Sequence, residues 1–162
     1  GDRSSGFLNA NRMPLRNHED ICVFYDKLPT YNPQKRKGKP NHTRGQGGGK
    51  LENRCYGDFD PFASEDDLSG MKFPLSVIDI DKEHDCGKMW HPTQKPVELL
   101  RYLVLTYTNE GDTVLDNCAG SGSTAIACIK EKRHFIGFET NKEYYDKACK
   151  RIKAEMSQLT LF

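Results

Sequence analysis

The stretch of sequence that decides the fold is Asp116-Asn117-Cys118-Ala119-Gly120-Ser121-Gly122-Ser123-Thr124. The four residues Thr113–Asp116 have the composition of a short buried strand, and a helix is predicted from about Ser123 to Lys130. Gly120 and Gly122 permit a sharp turn and a close approach of a ligand to the backbone, and a helix N-terminus offers unpaired N–H groups. The stretch therefore predicts a strand, a glycine-rich turn and a helix in direct succession.

Further regular elements are predicted on both sides of this unit. A second strand is expected over His134–Glu139, and Asn141 is suited to cap a last helix. Upstream, a helix should start at Pro96, because the missing N–H of proline costs nothing at the first helical position. The order predicts a βαβ unit with a parallel strand pair and a right-handed crossover. The expected buried faces are Val97, Leu100, Val104 and Tyr107 in the first helix and Tyr145, Ala148, Cys149, Ile152 and Met156 in the last.

The N-terminal half of the chain is less regular. Two short apolar runs, Ile21–Tyr25 and Leu75–Ile80, are predicted to be strands. Between Lys27 and about Met71 the sequence is rich in Gly, Pro, Asn and charge and has no periodicity. Such a long stretch is uncommon inside a compact domain unless it is functional or unstructured.

Length and composition set bounds on the whole chain. Its 162 residues are enough for one compact domain with a modest core, since the apolar share is 36%. The net charge of +1 argues neither for nor against nucleic acid, so local clustering has to decide. No apolar run approaches a membrane-spanning length, and we expect a soluble, cytoplasmic protein.

The cysteines show no close pairs or repeated spacings and are Cys22, Cys55, Cys86, Cys118, Cys128 and Cys149. This pattern favours free thiols in a reducing compartment over a disulfide scaffold. A zinc site built from His84, Cys86 and His91, with Cys55, is not predicted, because the spacing fits no compact ligand pair.

Two carboxylates indicate which ligand the glycine turn takes. Glu139 ends the second strand, where a carboxylate can accept hydrogen bonds from both hydroxyls of an adenosine ribose. Asp116 ends the first strand, where it would repel a pyrophosphate but attract an ammonium or a sulfonium. The sequence favours S-adenosylmethionine on this ground. A nicotinamide cofactor stays open, because Gly120-x-Gly122-x-x-Ala125 formally fits the dinucleotide fingerprint, as does a turn without any ligand.

Two motifs at this spacing resemble the β-class DNA amino-methyltransferases of bacteria and phages. They are His91-Pro92-Thr93-Gln94-Lys95-Pro96 and the glycine turn; Phe135–Glu139 is similar to the family's ribose-binding strand. Residues 6–25 resemble the segment ahead of its target-recognition region. The resemblance implies an α/β, Rossmann-like S-adenosylmethionine-dependent methyltransferase fold. It further implies an incomplete sheet and a long basic loop insertion.

The resemblance also implies the members of the cofactor site, which would be His91, Thr93, Lys95, Asp116, Asn117, Ala119, Gly120, Ser121, Gly122, Ser123, Thr124, Glu139 and Thr140. Thr93 and Lys95 should reach the methionine carboxylate, where Lys95 supplies a compact positive charge and the helix that starts at Pro96 adds a positive dipole end. The alternative is that this segment merely enters a helix with Lys95 in solvent.

The family's catalytic element, an Asp/Asn-Pro-Pro-aromatic tetrapeptide, does not occur in the chain. Asp60-Pro61-Phe62 lacks the second proline, and Tyr31-Asn32-Pro33-Gln34 lacks both the second proline and the aromatic residue. We expect no catalytic residue here and no activity of the chain alone: either it is truncated, or another polypeptide completes the sheet. The intact enzyme would methylate an exocyclic amine of a DNA base; adenine N6 is the expected target and cytosine N4 the alternative. Alternatives are a non-catalytic cofactor- or DNA-binding subunit and a nucleotide-dependent oxidoreductase.

Two further segments of this single, partial domain (1–162) have predicted partners, besides the cofactor-binding portion at 91–156. Segment 27–71 should contact double-stranded DNA through Lys35, Arg36, Lys37, Lys39, Arg44 and Lys50, because such clusters neutralise phosphates; a solvated loop is the alternative. Segment 158–162, with Gln158, Leu159, Leu161 and Phe162, resembles the peptide that docks on the bacterial sliding clamp; the alternative is a frayed helix end.

Overall fold

The structure, a computed structural model, describes residues 7–38, 70–81 and 91–159. After a 3₁₀ turn at Phe7–Asn9, the elements in chain order are strand β1 (Arg36–Lys37), strand β2 (Met71–Lys72), helix α1 (Val97–Tyr107), strand β3 (Thr113–Asp116), helix α2 (Ser123–Lys130), strand β4 (His134–Gly137) and helix α3 (Lys142–Leu159).

The predicted βαβ unit is confirmed. β3 and β4 pair in parallel, with Thr113 opposite His134 and Asp116 opposite Gly137, and α2 connects them. β4 ends before the predicted boundary at Glu139. The next residue still belongs to the ladder by its hydrogen bonds, because the Phe138 N–H donates to the Asp116 carbonyl at 2.9 Å.

The core lies between α1, α2 and one face of this strand pair. Its buried apolar side chains are Val97, Val104, Ile126, Ala127 and Cys128, and Leu100, Val114, Phe135 and Ile152 pack against them. The predicted inner face of α1 is therefore largely correct. Full burial of a side chain as large as that of valine or isoleucine contributes roughly 1.5–3 kcal/mol of apolar transfer free energy.

The C-terminal end of α1 is held by a residue far away in sequence. The side-chain amide of Asn32 donates to the Thr108 carbonyl at 3.0 Å and to the Leu105 carbonyl at 3.3 Å. Its backbone N–H donates to the Thr106 carbonyl at 2.7 Å. The last carbonyls of a helix lack intrahelical partners, so Asn32 satisfies them.

Two predicted strands are wrong. Neither Ile21–Tyr25 nor Leu75–Ile80 forms a strand, and apart from the half-buried Ile80 their apolar side chains are exposed, as shown by Phe24 at 89% and Val77 at 82%. A strand needs a neighbour to pair its backbone groups, and in the described ranges β3 and β4 pair only with each other. A run of apolar residues does not by itself show whether a pairing strand lies beside it.

The base of the glycine-rich middle segment is closed by a short ladder. β1 and β2 pair antiparallel, Arg36 opposite Lys72, and the Gly38 N–H donates to the Gly70 carbonyl at 2.8 Å. The Lys35 ammonium lies 4.7 Å from the centre of the Phe73 ring. Gly38 and Gly70 are therefore neighbours in space, and residues 39–69 between them lie outside the described residues.

The cap of α3 is confirmed, but its predicted buried stripe is only partly correct. The Asn141 side-chain oxygen accepts the Tyr144 N–H at 3.1 Å. Ala148 is buried and Ile152 packs on the core, whereas Tyr145 and Met156 are 51% and 52% exposed. Residues three and four apart share a helix face, so the inner face runs through position 144 and not 145.

The cysteines in the described part of the chain are free thiols; they are Cys22, Cys118, Cys128 and Cys149. The other two, Cys55 and Cys86, lie outside the described residues. Of the helices in the described ranges, none combines the length and the apolar character that crossing a bilayer requires.

Candidate cofactor site

The candidate site lies where β3 and β4 end. Because the carboxyl ends of adjacent parallel strands form a crevice, this is the expected ligand position in such a sheet. The loop that follows β3 turns through Gly120 (φ +50°) and Gly122 (φ +75°), both in the left-handed region. The Gly122 N–H donates to the Ala119 carbonyl at 2.8 Å, and the Ala119 N–H donates to the Phe138 carbonyl at 2.9 Å. The loop is therefore tied to the end of β4.

Glu139 holds this loop with its carboxylate. One oxygen accepts the Gly120 N–H at 2.9 Å and the other accepts the Asn141 N–H at 2.8 Å. Each carboxylate oxygen can accept two hydrogen bonds, so both retain capacity for a further donor. Glu139 can therefore bind a pair of hydroxyl groups while it holds the loop.

Asp116 fixes the other side of the loop. Its two oxygens accept the Cys118 N–H at 3.0 Å and the Thr124 hydroxyl at 2.6 Å. These contacts link the end of β3 to the first turn of α2. They leave a negative charge beside the glycine turn, which favours a cationic ligand group and disfavours a pyrophosphate.

His91 forms a wall of the site next to Gly120. A Cβ atom built on Gly120 would lie 3.2 Å from the His91 ring, so only glycine fits there without a shift. The ring also packs edge-on against Tyr144 of α3, with centroids 4.5 Å apart. Thr93 lies beside this ring, because its backbone N–H donates to His91 Nδ1 at 3.3 Å. The structure thus places His91 against the loop and Thr93 beside His91.

Lys95 has a partner that the sequence analysis did not consider. Its ammonium forms an ion pair with Glu19 at 2.5 Å, and both side chains are at least half exposed. A carboxylate therefore already interacts with the group expected to bind the carboxylate of a cofactor.

The two serines of the loop face away from solvent. Ser121 and Ser123 are only 4% and 3% exposed, their hydroxyls lie 3.1 Å apart, and Arg151 of α3 contacts both residues. Their side chains are thus engaged within the protein, so any ligand contact would come from the backbone. Asn117 and Thr140 lie exposed at the rim.

Three residues of this region were missed: Glu19, Tyr144 and Arg151. Tyr144, Ala148 and Arg151 are spaced as one face of a helix, a signal that was present in the sequence. No comparable signal exists for Glu19, which lies in an irregular segment far from Lys95 along the chain.

The other predicted sites are covered only in part. Lys35, Arg36 and Lys37 are exposed, as a DNA contact requires, whereas Lys39, Arg44 and Lys50 lie outside the described residues. Gln158 is exposed in the last turn of α3 and Leu159 ends that helix, while Leu161 and Phe162 lie outside.

The described residues contain no group of three or more His, Cys, Asp or Glu side chains that could hold a metal ion. His84, Cys86 and Cys55 are not among these residues.

Curated relatives match parts of the chain. The Type II methyltransferase M2.DpnII of Streptococcus pneumoniae is 48% identical over 65 residues, which cover 40% of this chain and 24% of the relative. M.HpaI of Haemophilus parainfluenzae is 40% identical over 86 residues, 52% of this chain and 27% of the relative. M.Cfr9I of Citrobacter freundii is 34% identical over 102 residues, 63% and 33%. The chain thus spans between about a quarter and a third of the length of the relatives it matches.

A solved structure and a family model complete the comparison. The M1.HpyAVI–SAM complex is 41% identical to this chain, with a TM-score of 0.43, and the match covers 45% of this chain and 36% of that one. The family model N6_N4_Mtase, described as DNA methylase, matches residues 2–150. With its glycine loop held between two strand-end carboxylates and nearly its whole length matched, the chain belongs to the N6_N4_Mtase family of DNA methylases.

Proposed function

We propose that this chain forms the cofactor-binding part of a DNA amino-methyltransferase that uses S-adenosylmethionine. The observation that carries the proposal is the glycine loop held between Asp116 and Glu139 at the ends of adjacent parallel strands. A pyrophosphate over this loop would meet two negative charges, whereas an adenosyl amino acid presents hydroxyls to one carboxylate and a cation to the other.

The residues of the loop fit this cofactor in size as well as in charge. Gly120 leaves a space that a Cβ atom would fill against His91. Glu139 would accept the ribose hydroxyls, Asp116 would face the sulfonium and ammonium groups, and Thr93 and Lys95 would bind the carboxylate. His91, Asn117, Ala119 and Thr140 would line the cleft. The solved complex of the similar M1.HpyAVI contains SAM, which supports the assignment.

When bound, S-adenosylmethionine supplies an activated methyl group for an exocyclic amine of a DNA base. The proposed target amine is adenine N6, and cytosine N4 is the alternative. The chain has no Asp/Asn-Pro-Pro-aromatic element to hold that amine. We therefore propose that the chain alone binds the cofactor without turnover.

Double-stranded DNA is the proposed substrate. The exposed Lys35, Arg36 and Lys37 begin the basic segment, and the β1–β2 ladder anchors its two ends. The names of the relatives, Type II methyltransferases, support a site-specific DNA modification enzyme. Segment 27–71 is accordingly the proposed target-recognition region.

Two protein partners are proposed as well. A polypeptide that adds strands at the edges of β3 and β4 and packs a further layer on the sheet would cover the apolar face formed by Leu115, Ile136 and Phe138, which are 64%, 51% and 59% exposed. The bacterial sliding clamp would bind the last residues, and the exposure of Gln158 supports its access.

The cofactor assignment is tested by calorimetric titration of the whole chain with S-adenosylhomocysteine and with NAD. We expect one S-adenosylhomocysteine site per chain and no heat from NAD. Binding of NAD alone would refute the assignment. A methyl-transfer assay with labelled cofactor and DNA should show no product; product formed by the pure chain would contradict the proposed lack of turnover.

A further inference from the structure

We propose that Arg151 is a positioning residue that holds the glycine loop, from its protein side, in the shape that a ligand needs. The inference rests on the proposed function, because it concerns the same cofactor loop. It assigns a role to a residue on α3, the helix that lies behind the loop.

The contacts of Arg151 converge on the two buried serines. Its Nη1 donates to the Ser123 hydroxyl at 2.9 Å and to the Ser121 carbonyl at 3.2 Å, and the Ser121 hydroxyl lies 3.5 Å away. One guanidinium therefore ties together two residues that flank Gly122. Hydrogen bonds from a charged donor are about twice as strong as neutral ones, so these contacts restrain the loop backbone.

The charge of Arg151 is placed where it does not help the neighbouring helix. Ser123 is the first residue of α2, and a cation beside a helix N-terminus opposes the helix dipole. The interaction with the helix dipole alone would thus favour a neutral or acidic residue at this position. The guanidinium stabilises the arrangement through its hydrogen bonds to the loop, which points to loop geometry as its role.

The same face of α3 contacts the loop directly at Gly122 and reaches Gly120 through His91. A Cβ atom on Gly122 would lie 3.2 Å from the Ile152 side chain and 3.3 Å from Ala148. Tyr144 packs on His91, which in turn lies against Gly120. Arg151 adds charged hydrogen bonds to these packing contacts, and can therefore fix the directions of the loop's Ser121 carbonyl and Ser123 hydroxyl.

The test compares Arg151→Met with Arg133→Met in the whole chain. Arg133 is a matched control, since it is also partly buried and donates to the Thr108 carbonyl at 2.9 Å, the Thr108 hydroxyl at 3.0 Å and the Glu131 carbonyl, at the opposite end of α2. Hydrogen exchange of the amides of residues 117–124 is measured without ligand. Affinity for S-adenosylhomocysteine is then measured below the unfolding temperature of both variants.

We expect Arg151→Met to speed exchange in the loop and to weaken binding about tenfold, the size of one charge-assisted hydrogen bond. Arg133→Met should lower the unfolding temperature without either effect. Arg151→Lys should fall between, and ethylguanidinium should restore binding to Arg151→Ala. Equal exchange and equal affinity in the two methionine variants would overturn the inference, as would absence of rescue.

The two proposals can fail separately. If the wild-type chain binds no S-adenosylhomocysteine, the proposed function fails, and hydrogen exchange alone decides on Arg151. If Arg151→Met does not fold, Ser123→Ala removes the best acceptor and keeps the arginine. Faster exchange of residues 117–124 in Ser123→Ala supports the inference, and unchanged exchange overturns it.

Discussion

Asp116 and Glu139 each combine a structural role with a chemical one. Each carboxylate accepts two hydrogen bonds from the loop or its flanks, and each keeps a negative charge at the mouth of the cleft. Their chemistry could be predicted from sequence, because strand-end carboxylates next to a glycine turn are local features. The Lys95–Glu19 pair could not, since it depends on how an irregular N-terminal segment packs.

Lys95 is expected to recognise the carboxylate of the cofactor. Lys95→Met should weaken S-adenosylhomocysteine binding several-fold, and should leave binding of methylthioadenosine, which lacks the amino-acid group, unchanged. Glu19→Gln is the control: an exposed ion pair contributes only about 0–1 kcal/mol, so its loss should change affinity little or improve it slightly. Equal weakening for both ligands in Lys95→Met, measured by titration, would contradict the assignment.

Cys128 provides a pH-dependent prediction. Burial raises the pKa of its thiol from 9.0 to about 11, because the thiolate would be poorly solvated in the core. The thiol should therefore resist alkylation at pH 8 while the exposed Cys118 reacts. The corresponding stability is present below pH 9 and is lost as the pH rises toward 11. Fragment mass spectrometry after iodoacetamide treatment checks this; equal labelling of both cysteines would exclude it.

At the scale of elements, the strand–turn–helix unit was predictable because its signals are contiguous. Strand, glycines and helix start follow one another from Thr113 to Lys130, and the structure places each as expected. The errors at Ile21–Tyr25 and Leu75–Ile80 have the opposite origin, because a strand is defined by a partner elsewhere in the chain. The inner face of α3 was misjudged by one residue, because Tyr144 and Tyr145 are alike in sequence and only packing separates them.

The glycine loop should tolerate a side chain at Gly122 poorly. Gly122→Ala combines a left-handed backbone with a methyl group about 3.2 Å from Ile152, whereas Gly111→Ala has the same backbone problem (φ +85°) in open space. Gly111→Ala should cost about 1 kcal/mol of unfolding free energy, and Gly122→Ala distinctly more. Chemical denaturation measures both. A smaller effect at Gly122 than at Gly111 would show that α3 does not restrain the loop.

At the scale of the whole molecule, the described residues form an α/β unit whose two-stranded parallel sheet is connected through helix α2. One face of this sheet packs on α2, and the opposite face exposes Leu115, Ile136 and Phe138. Isolated two-stranded sheets are marginal in water, so further strands would be expected to stabilise it. The small size of the sheet in the described residues is consistent with the incomplete sheet that the resemblance implies.

The proposed DNA binding would involve the whole chain and should depend on salt. Replacing Lys35, Arg36 and Lys37 together by Gln should weaken duplex binding and flatten the salt dependence by roughly 0.9 in log–log slope per lost phosphate contact. The exposed Lys142, Lys147 and Lys150 on α3, replaced together by Gln, form a control of equal charge. Filter binding across a salt series measures both. Equal losses of duplex affinity in the two triple variants would show that only net charge matters, and would contradict a DNA contact by residues 35–37.

The central claim is that the cleft between Asp116 and Glu139 takes a positively charged adenosyl amino acid. A crystal structure of the chain grown with S-adenosylmethionine, which has the sulfonium, tests it most directly. We predict the ribose hydroxyls on Glu139 and the amino-acid portion beside Asp116, with the turn at Gly120 and Gly122 unchanged. An adenosine that avoids Glu139, or a loop that closes over its own side chains while the ligand binds elsewhere, would contradict the claim.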